Sequence, residues 1–194
     1  MAKQASVKRL AGILYVIFKV FFWFSIAASA AFALGALVTG FLPSELLKGV
    51  NTESFRLSLG SIIRFTLNNS GGQTNFKPVL LAILISCAIV FPLVSAICWQ
   101  LAGILKTVKE DRPFAGENAN RLVIIGIILL NAAWINKVIE AVTAYVTITT
   151  FRIPNVTIAF TIDTTMLFMG LLVLILAGVF KYGSYLQSEY DATL

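Results

Sequence analysis

The sequence predicts an all-α membrane protein: a four-transmembrane-helix bundle with a small extracytoplasmic β-sheet from the two outer loops. Three observations carry this. First, 12% of the 194 residues are charged and 58% are hydrophobic, whereas soluble domains carry about 25% charged residues. So few charges cannot cover a globular surface, and lipid must be the solvent for much of the chain. Second, four apolar runs lie at about 11–38, 79–105, 122–145 and 165–182, close to the ~20 residues that cross a ~30 Å hydrocarbon core. Third, the connections 39–78 and 146–164 both contain alternating apolar and polar residues, the period of a strand. The whole of 1–194 is read as one integral membrane domain, with 106–121 as a cytoplasmic loop.

The first run follows a basic start, MAKQASVKR, and is interrupted mainly by Lys19, whose amine snorkels to the interface. It is too long for a typical cleavable signal. Ala27, Ala31 and Gly35 recur every four residues, a small-residue ladder that lets a second helix approach closely. In the first outer loop, Phe55, Leu57, Leu59, Ile63, Phe65 and Leu67 fall on one face and Arg56, Ser58, Gly60, Arg64 and Thr66 on the other. One strand, bent at Gly60, accounts for that phase. The second run contains Pro92, which removes a backbone donor. The third ends in Asn136, Lys137 and Glu140, after Asn131 on a different face, and Lys137 and Glu140 are spaced for an i,i+3 pair. From Tyr145, YVTITTFRI is rich in β-branched and aromatic residues, Pro154-Asn155 marks a turn, and Val156–Asp163 alternates again. This reads as a hairpin that joins the first strand in a sheet. Asp163 or Thr164 can cap the fourth helix.

Basic residues set the orientation. Lys3, Lys8 and Arg9 near the start, and Lys106, Lys109, Arg112 and Arg121 in or beside the central loop, place both on the cytoplasmic side. Both termini are then cytoplasmic, in a bacterial inner membrane. The net charge of +6 is scattered among the loops, which argues against direct nucleic-acid binding.

Little in the sequence supplies chemistry. With no histidine, histidine acid–base work and histidine metal sites are excluded. Cys87 and Cys98 share one helical run about 16 Å apart, beyond disulfide reach, and read as packing residues. Glu110, Asp111 and Glu117 read as a solvated loop. The expectation is no enzyme, no cofactor and no metal.

Two segments carry a resemblance. DRPFAGENANRL at 111–122 fits a pattern of Pro-Phe, Glu-Asn and Arg-Leu, and VFKYGSYLQSEYDATL at 179–194 fits a second pattern ending the chain. Together they resemble the bacterial membrane-protein family called domain of unknown function 2975, the YoaS-like proteins. Where that family often has Thr or Ser before Glu-Asn, this chain has Ala115 and Gly116, and Ala192 and Leu194 depart from its usual Leu and Val. The resemblance implies four spans and no established activity, and it suggests a cytoplasmic helix-turn-helix regulator as partner.

The motif residues have a physical reading of their own. Pro113 fixes a turn, Phe114 fills an apolar gap, Glu117 suits a helix N-terminus, and Asn118 satisfies free backbone amides. Arg121 can reach Glu189 or Asp191 in the tail, beside Gly183. The loop and tail then either close the bundle or form a docking surface. Asn131, Asn136, Lys137 and Glu140 are the polar residues at membrane depth, where ionisable groups are functional candidates by default. Set against that, pairing and snorkelling account for Lys137 and Glu140 without function. The function expected is regulation or sensing through protein partners, with self-association as a further partner class besides the bilayer. The alternatives are a small transporter or channel component, or immunity against a membrane-active peptide.

Overall fold

The computed structural model describes residues 2–47, 55–59, 63–67, 75–153, 157–158 and 161–192. Four helices dominate: α1 (Ala2–Phe41), α2 (Lys77–Lys109), α3 (Gly116–Phe151) and α4 (Thr164–Ala192). A short 3-10 turn, Ser44–Leu47, follows α1. Each helix contains a stretch long and apolar enough to cross a bilayer: Val7–Phe41, Lys77–Lys109, Gly116–Phe151 and Thr164–Tyr190. Large apolar side chains point outward along them, Trp23 at 63% exposure and Ile175 at 66% among them. Apolar exposure on this scale needs a non-aqueous neighbour. The chain is a multi-pass membrane protein built as a four-helix bundle.

The contacts group into two compact units. One comprises Met1–Ala28, Phe91–Trp134 and Asp163–Leu194, the other Ser29–Val90 and Ile135–Ile162. In the first, Leu122, Ile125 and Ala177 form a buried cluster, packed by Leu101, Ile104, Leu129 and Phe180. Here α3 and α4 come close at two glycines. A Cβ on Gly126 would lie 3.2 Å from the Gly170 carbonyl oxygen, and a Cβ on Gly170 would lie 3.2 Å from that of Gly126. Such contacts replace the hydrophobic drive that lipid removes between spans. At the start of α4, Asp163 Oδ1 accepts the Met166 N–H at 3.0 Å, a side-chain N-cap.

In the second unit, polar side chains tie the helices together. Pro92 has no N–H to offer the carbonyl of Ala88, four residues back. The Ser29 hydroxyl of α1 donates to that carbonyl at 3.1 Å. Ser86 and Thr143 hydroxyls meet at 3.2 Å between α2 and α3. Lys77 Nζ donates to the carbonyls of Gly40 and Leu42 at 2.9 and 2.7 Å, a cation on the carbonyl end of α1 where the helix dipole favours it. Gly35, the last rung of the small-residue ladder, faces Leu84, whose Cδ2 would be 3.6 Å from an added Cβ.

The expected sheet from both outer loops is overturned. Tyr145–Phe151 belongs to α3, and no strand occurs among the described residues that follow it. The β-branched residues here face a helix ladder that is costly to abandon: within a membrane each unsatisfied backbone group costs several kcal/mol, against at most ~0.7 kcal/mol of helix propensity per residue. The threonines also help, since Thr147 Oγ1 donates to the Thr143 carbonyl at 2.7 Å and Thr149 Oγ1 to that of Tyr145 at 2.8 Å. The helix stops at Arg152, which has φ 50°, and Ile153 N–H donates to the Ile148 carbonyl, closing a Schellman end.

The single bent strand expected in the first connection is likewise corrected. Two five-residue strands, β1 (Phe55–Leu59) and β2 (Ile63–Leu67), pair antiparallel with each other, Phe55 opposite Leu67 and Leu59 opposite Ile63. Leu59 pairs with Ile63, four residues on, so the odd-numbered apolar set stays on one face across the reversal, and alternation alone cannot separate one long strand from two short ones. The fold class is therefore all-α, without the shared capping sheet. The Pro154-Asn155 turn lies outside the described residues.

Candidate functional site

The α2–α3 loop and the adjoining turns of α4 form the most elaborate polar construction among the described residues. Helix α2 ends in a Schellman motif. Arg112 N–H donates to the Thr107 carbonyl and Asp111 N–H to that of Val108, with Asp111 left-handed at φ 62°. Lys8 of α1 meets the Asp111 carboxylate at 2.5 Å, and Arg112 pairs with Glu110 at 2.7 Å. Both pairs are exposed, where solvent and salt screen such contacts and they add little. The hydrogen bond from Arg112 holds the Glu110 carboxyl below its ordinary range, aided by nearby lysines. Its pairing is therefore complete at neutral pH and is lost as pH falls through that lowered value.

Asn118 is the centre of the loop. Its side chain is fully buried. Nδ2 donates to Thr107 Oγ1 at 2.7 Å and to the Pro113 carbonyl at 2.9 Å, while Thr107 Oγ1 donates to the Ile104 carbonyl at 2.7 Å. One amide thus joins the last turn of α2, the loop and the first turn of α3, using both of its donors. Phe114 leans the other way. Its ring meets Phe180 at 5.4 Å, and a Cβ on Gly183 would lie 2.9 Å from it. Gly183 is the seat for this ring.

Arg121 does not pair with Glu189. It lies against Gly103 of α2, where an added Cβ would be 1.7 Å from Nη1, and its Nη2 is 3.5 Å from Glu117 Oε2. Glu189 instead accepts the Tyr185 hydroxyl one turn back on its own helix. The Asp191 side chain lies outside the described residues. The Glu117 carboxylate stands in the first turn of α3, where the helix dipole favours it.

The polar residues within the apolar stretch of α3 all have partners. Lys137 Nζ donates to Glu140 Oε2 at 2.7 Å. Asn131 Nδ2 donates to the Ile127 carbonyl at 2.8 Å, and Asn136 is engaged as well. Cys87 and Cys98 are free thiols, the second buried. No cluster of three or more metal-binding acids or thiols occurs among the described residues.

Several partners in this construction are missing from a sequence reading. Thr107 as the mate of Asn118 leaves one faint trace, a hydroxyl in the last turn of a helix ahead of a buried asparagine. Gly103 as the bed for Arg121 leaves none, because the two meet only when α2 and α3 pack.

Fold and site define a class, the multi-pass membrane proteins with an ordered polar loop–tail junction. Within that class, the model of the family described as protein of unknown function (DUF2975) matches residues 66–194. That is about two-thirds of the chain and includes both motif segments. The chain belongs to this family. No curated protein and no solved structure matches it.

Proposed function

We propose that the protein is a regulatory or sensory component of the bacterial inner membrane. Both termini and the α2–α3 loop face the cytoplasm, and the loop with the α4 tail forms a docking surface for a cytoplasmic protein. The observation that carries this reading is the Asn118–Phe114 construction: a loop of this length is held in one shape from two sides, by a buried amide and by an aromatic ring on Gly183. Beside it, Tyr182, Tyr185, Leu186 and Tyr190 stand exposed along one side of α4, and aromatics on a pre-ordered surface suit protein contacts. The basic residues Lys8, Lys106, Lys109 and Arg112 near the loop support the orientation. Lys137 bonded to Glu140 favours a structural pair over a transport element.

Photo-crosslinking in intact cells tests this reading, with the crosslinker at Phe114 or Tyr185 and mass spectrometry of the products. Capture of one cytoplasmic protein, a helix-turn-helix regulator being the specific case expected, supports docking. Self-crosslinks alone, with gene expression unchanged in a deletion strain, would overturn it.

A further inference from the structure

A second feature lies one helical turn and more into the bundle from the loop. A cavity of about 270 Å³ is lined by Tyr15, Lys19 and Phe22 of α1, Trp99 and Lys106 of α2, and Arg121 of α3. Three helices therefore each bring one cation to the same space, and no acidic side chain lines it. Lys19 and Lys106 form no ion pair among the described residues; Lys19 rests over the Tyr15 ring, 5.4 Å from its centre. The carboxylate nearest Arg121 is Glu117, 3.5 Å away and 65% exposed. Arg121 Nε is buried without a hydrogen-bond partner. Space for the guanidinium exists only because residue 103 is glycine.

Converging like charges repel, and a buried N–H of a guanidinium left unpaired costs more than a neutral one. An anion in the cavity offsets the first of these, the repulsion among the three cations. The aromatic walls say more about it. Phe22 and Trp99 rings pack 4.9 Å apart, and Trp99 is half exposed within the membrane-spanning stretch of α2. A small free anion makes no use of those rings, whereas a phosphate attached to acyl chains uses the cations and the rings together. Basic pockets between membrane helices bind phospholipid head groups in this manner.

We propose that this cavity binds the phosphate of an anionic amphiphile, an anionic phospholipid head group, through Lys19, Lys106 and Arg121. The site is independent of the docking reading above and stands or falls separately from it.

The test uses the full chain with Trp23→Phe and Trp134→Phe, which leaves Trp99 as its one tryptophan. The chain is placed in phosphatidylcholine vesicles containing brominated phosphatidylglycerol or brominated phosphatidylcholine at equal bromine content. The expected result is at least about twofold stronger quenching of Trp99 by the anionic lipid. Lys19→Gln with Lys106→Gln abolishes the excess, and Lys109→Gln, outside the cavity, leaves it intact. Equal quenching by the two lipids overturns the proposal, as does an excess that Lys109→Gln removes equally well. Displacement of the excess by inorganic phosphate would overturn the lipid as source in favour of a free anion. A second measurement avoids the tryptophan variants. In neutral detergent, added phosphatidylglycerol raises the melting temperature of the unmodified chain and phosphatidylcholine does not, and the rise is lost with Lys19→Gln and Lys106→Gln. A rise that survives those substitutions overturns the proposal.

Discussion

Ser29 and Pro92 are the clearest case of one residue answering another across the sequence. The proline frees the Ala88 carbonyl and the serine hydroxyl takes it at 3.1 Å. Ser29→Ala should therefore destabilise the protein by about 1 kcal/mol, the cost of leaving a carbonyl unsatisfied. In a Pro92→Ala background the helix supplies its own N–H, so the same substitution should cost little. A double-mutant cycle by denaturant unfolding in detergent checks this, and additive effects would refute the coupling. Asn118 offers a second case. Two of its side-chain hydrogen bonds use N–H donors, and one of these goes to the Pro113 carbonyl, which an aspartate cannot serve. Only the contact in which Oδ1 accepts from Thr107 Oγ1 survives the change, so Asn118→Asp should destabilise by roughly 2–3 kcal/mol despite its near-identical shape. Thermal unfolding of the purified variant measures it, and a neutral result would mean that volume rather than donation holds the loop. The sequence reading makes Asn118 a residue that satisfies free backbone amides; in the structure its side chain instead donates to the Pro113 carbonyl and to Thr107, a partner the sequence could not supply. Arg121 and Glu189 look complementary in the sequence, but local partners win: Tyr185 takes the acid and Glu117 the guanidinium.

At the scale of elements, apolar runs located all four helices because length and hydropathy are local properties. The helix ends were less legible. Helix α3 continues to Phe151 through residues with strand propensity, because propensity is a small term where the backbone must satisfy itself. The contact between α3 and α4 was invisible in the same way. Gly126 and Gly170 carry no pattern that announces a crossing, whereas the Ala27–Ala31–Gly35 ladder does. Gly170→Leu should be severe, since even a Cβ there approaches Leu130 Cδ2 to 2.9 Å and the Gly126 carbonyl to 3.2 Å. Over-packing of this kind costs about 1–3 kcal/mol. Loss of the folded fraction in detergent, with membrane insertion retained, is the expected outcome; an unchanged unfolding curve would mean that the two helices shift apart freely.

For the whole molecule, the proposed orientation with both termini in the cytoplasm has a direct test. A fluorescent protein fused after Leu194 should glow, and alkaline phosphatase inserted at Ser70 should be active. Active phosphatase at the C-terminus would reverse the topology. The junction between loop and tail has a consequence for the order in which the chain is made. Asn118 finds Thr107 only eleven residues upstream, so the α2–α3 hairpin can be fastened as soon as the first turn of α3 leaves the ribosome. The Phe114 ring must wait until Phe180 and Gly183 have been synthesised. Between those moments the nascent protein carries a finished hairpin with one aromatic group unseated. The arrival of α4 is then the event that completes assembly, and a chain that stops short of Gly183 leaves that ring without its seat for quality control to find.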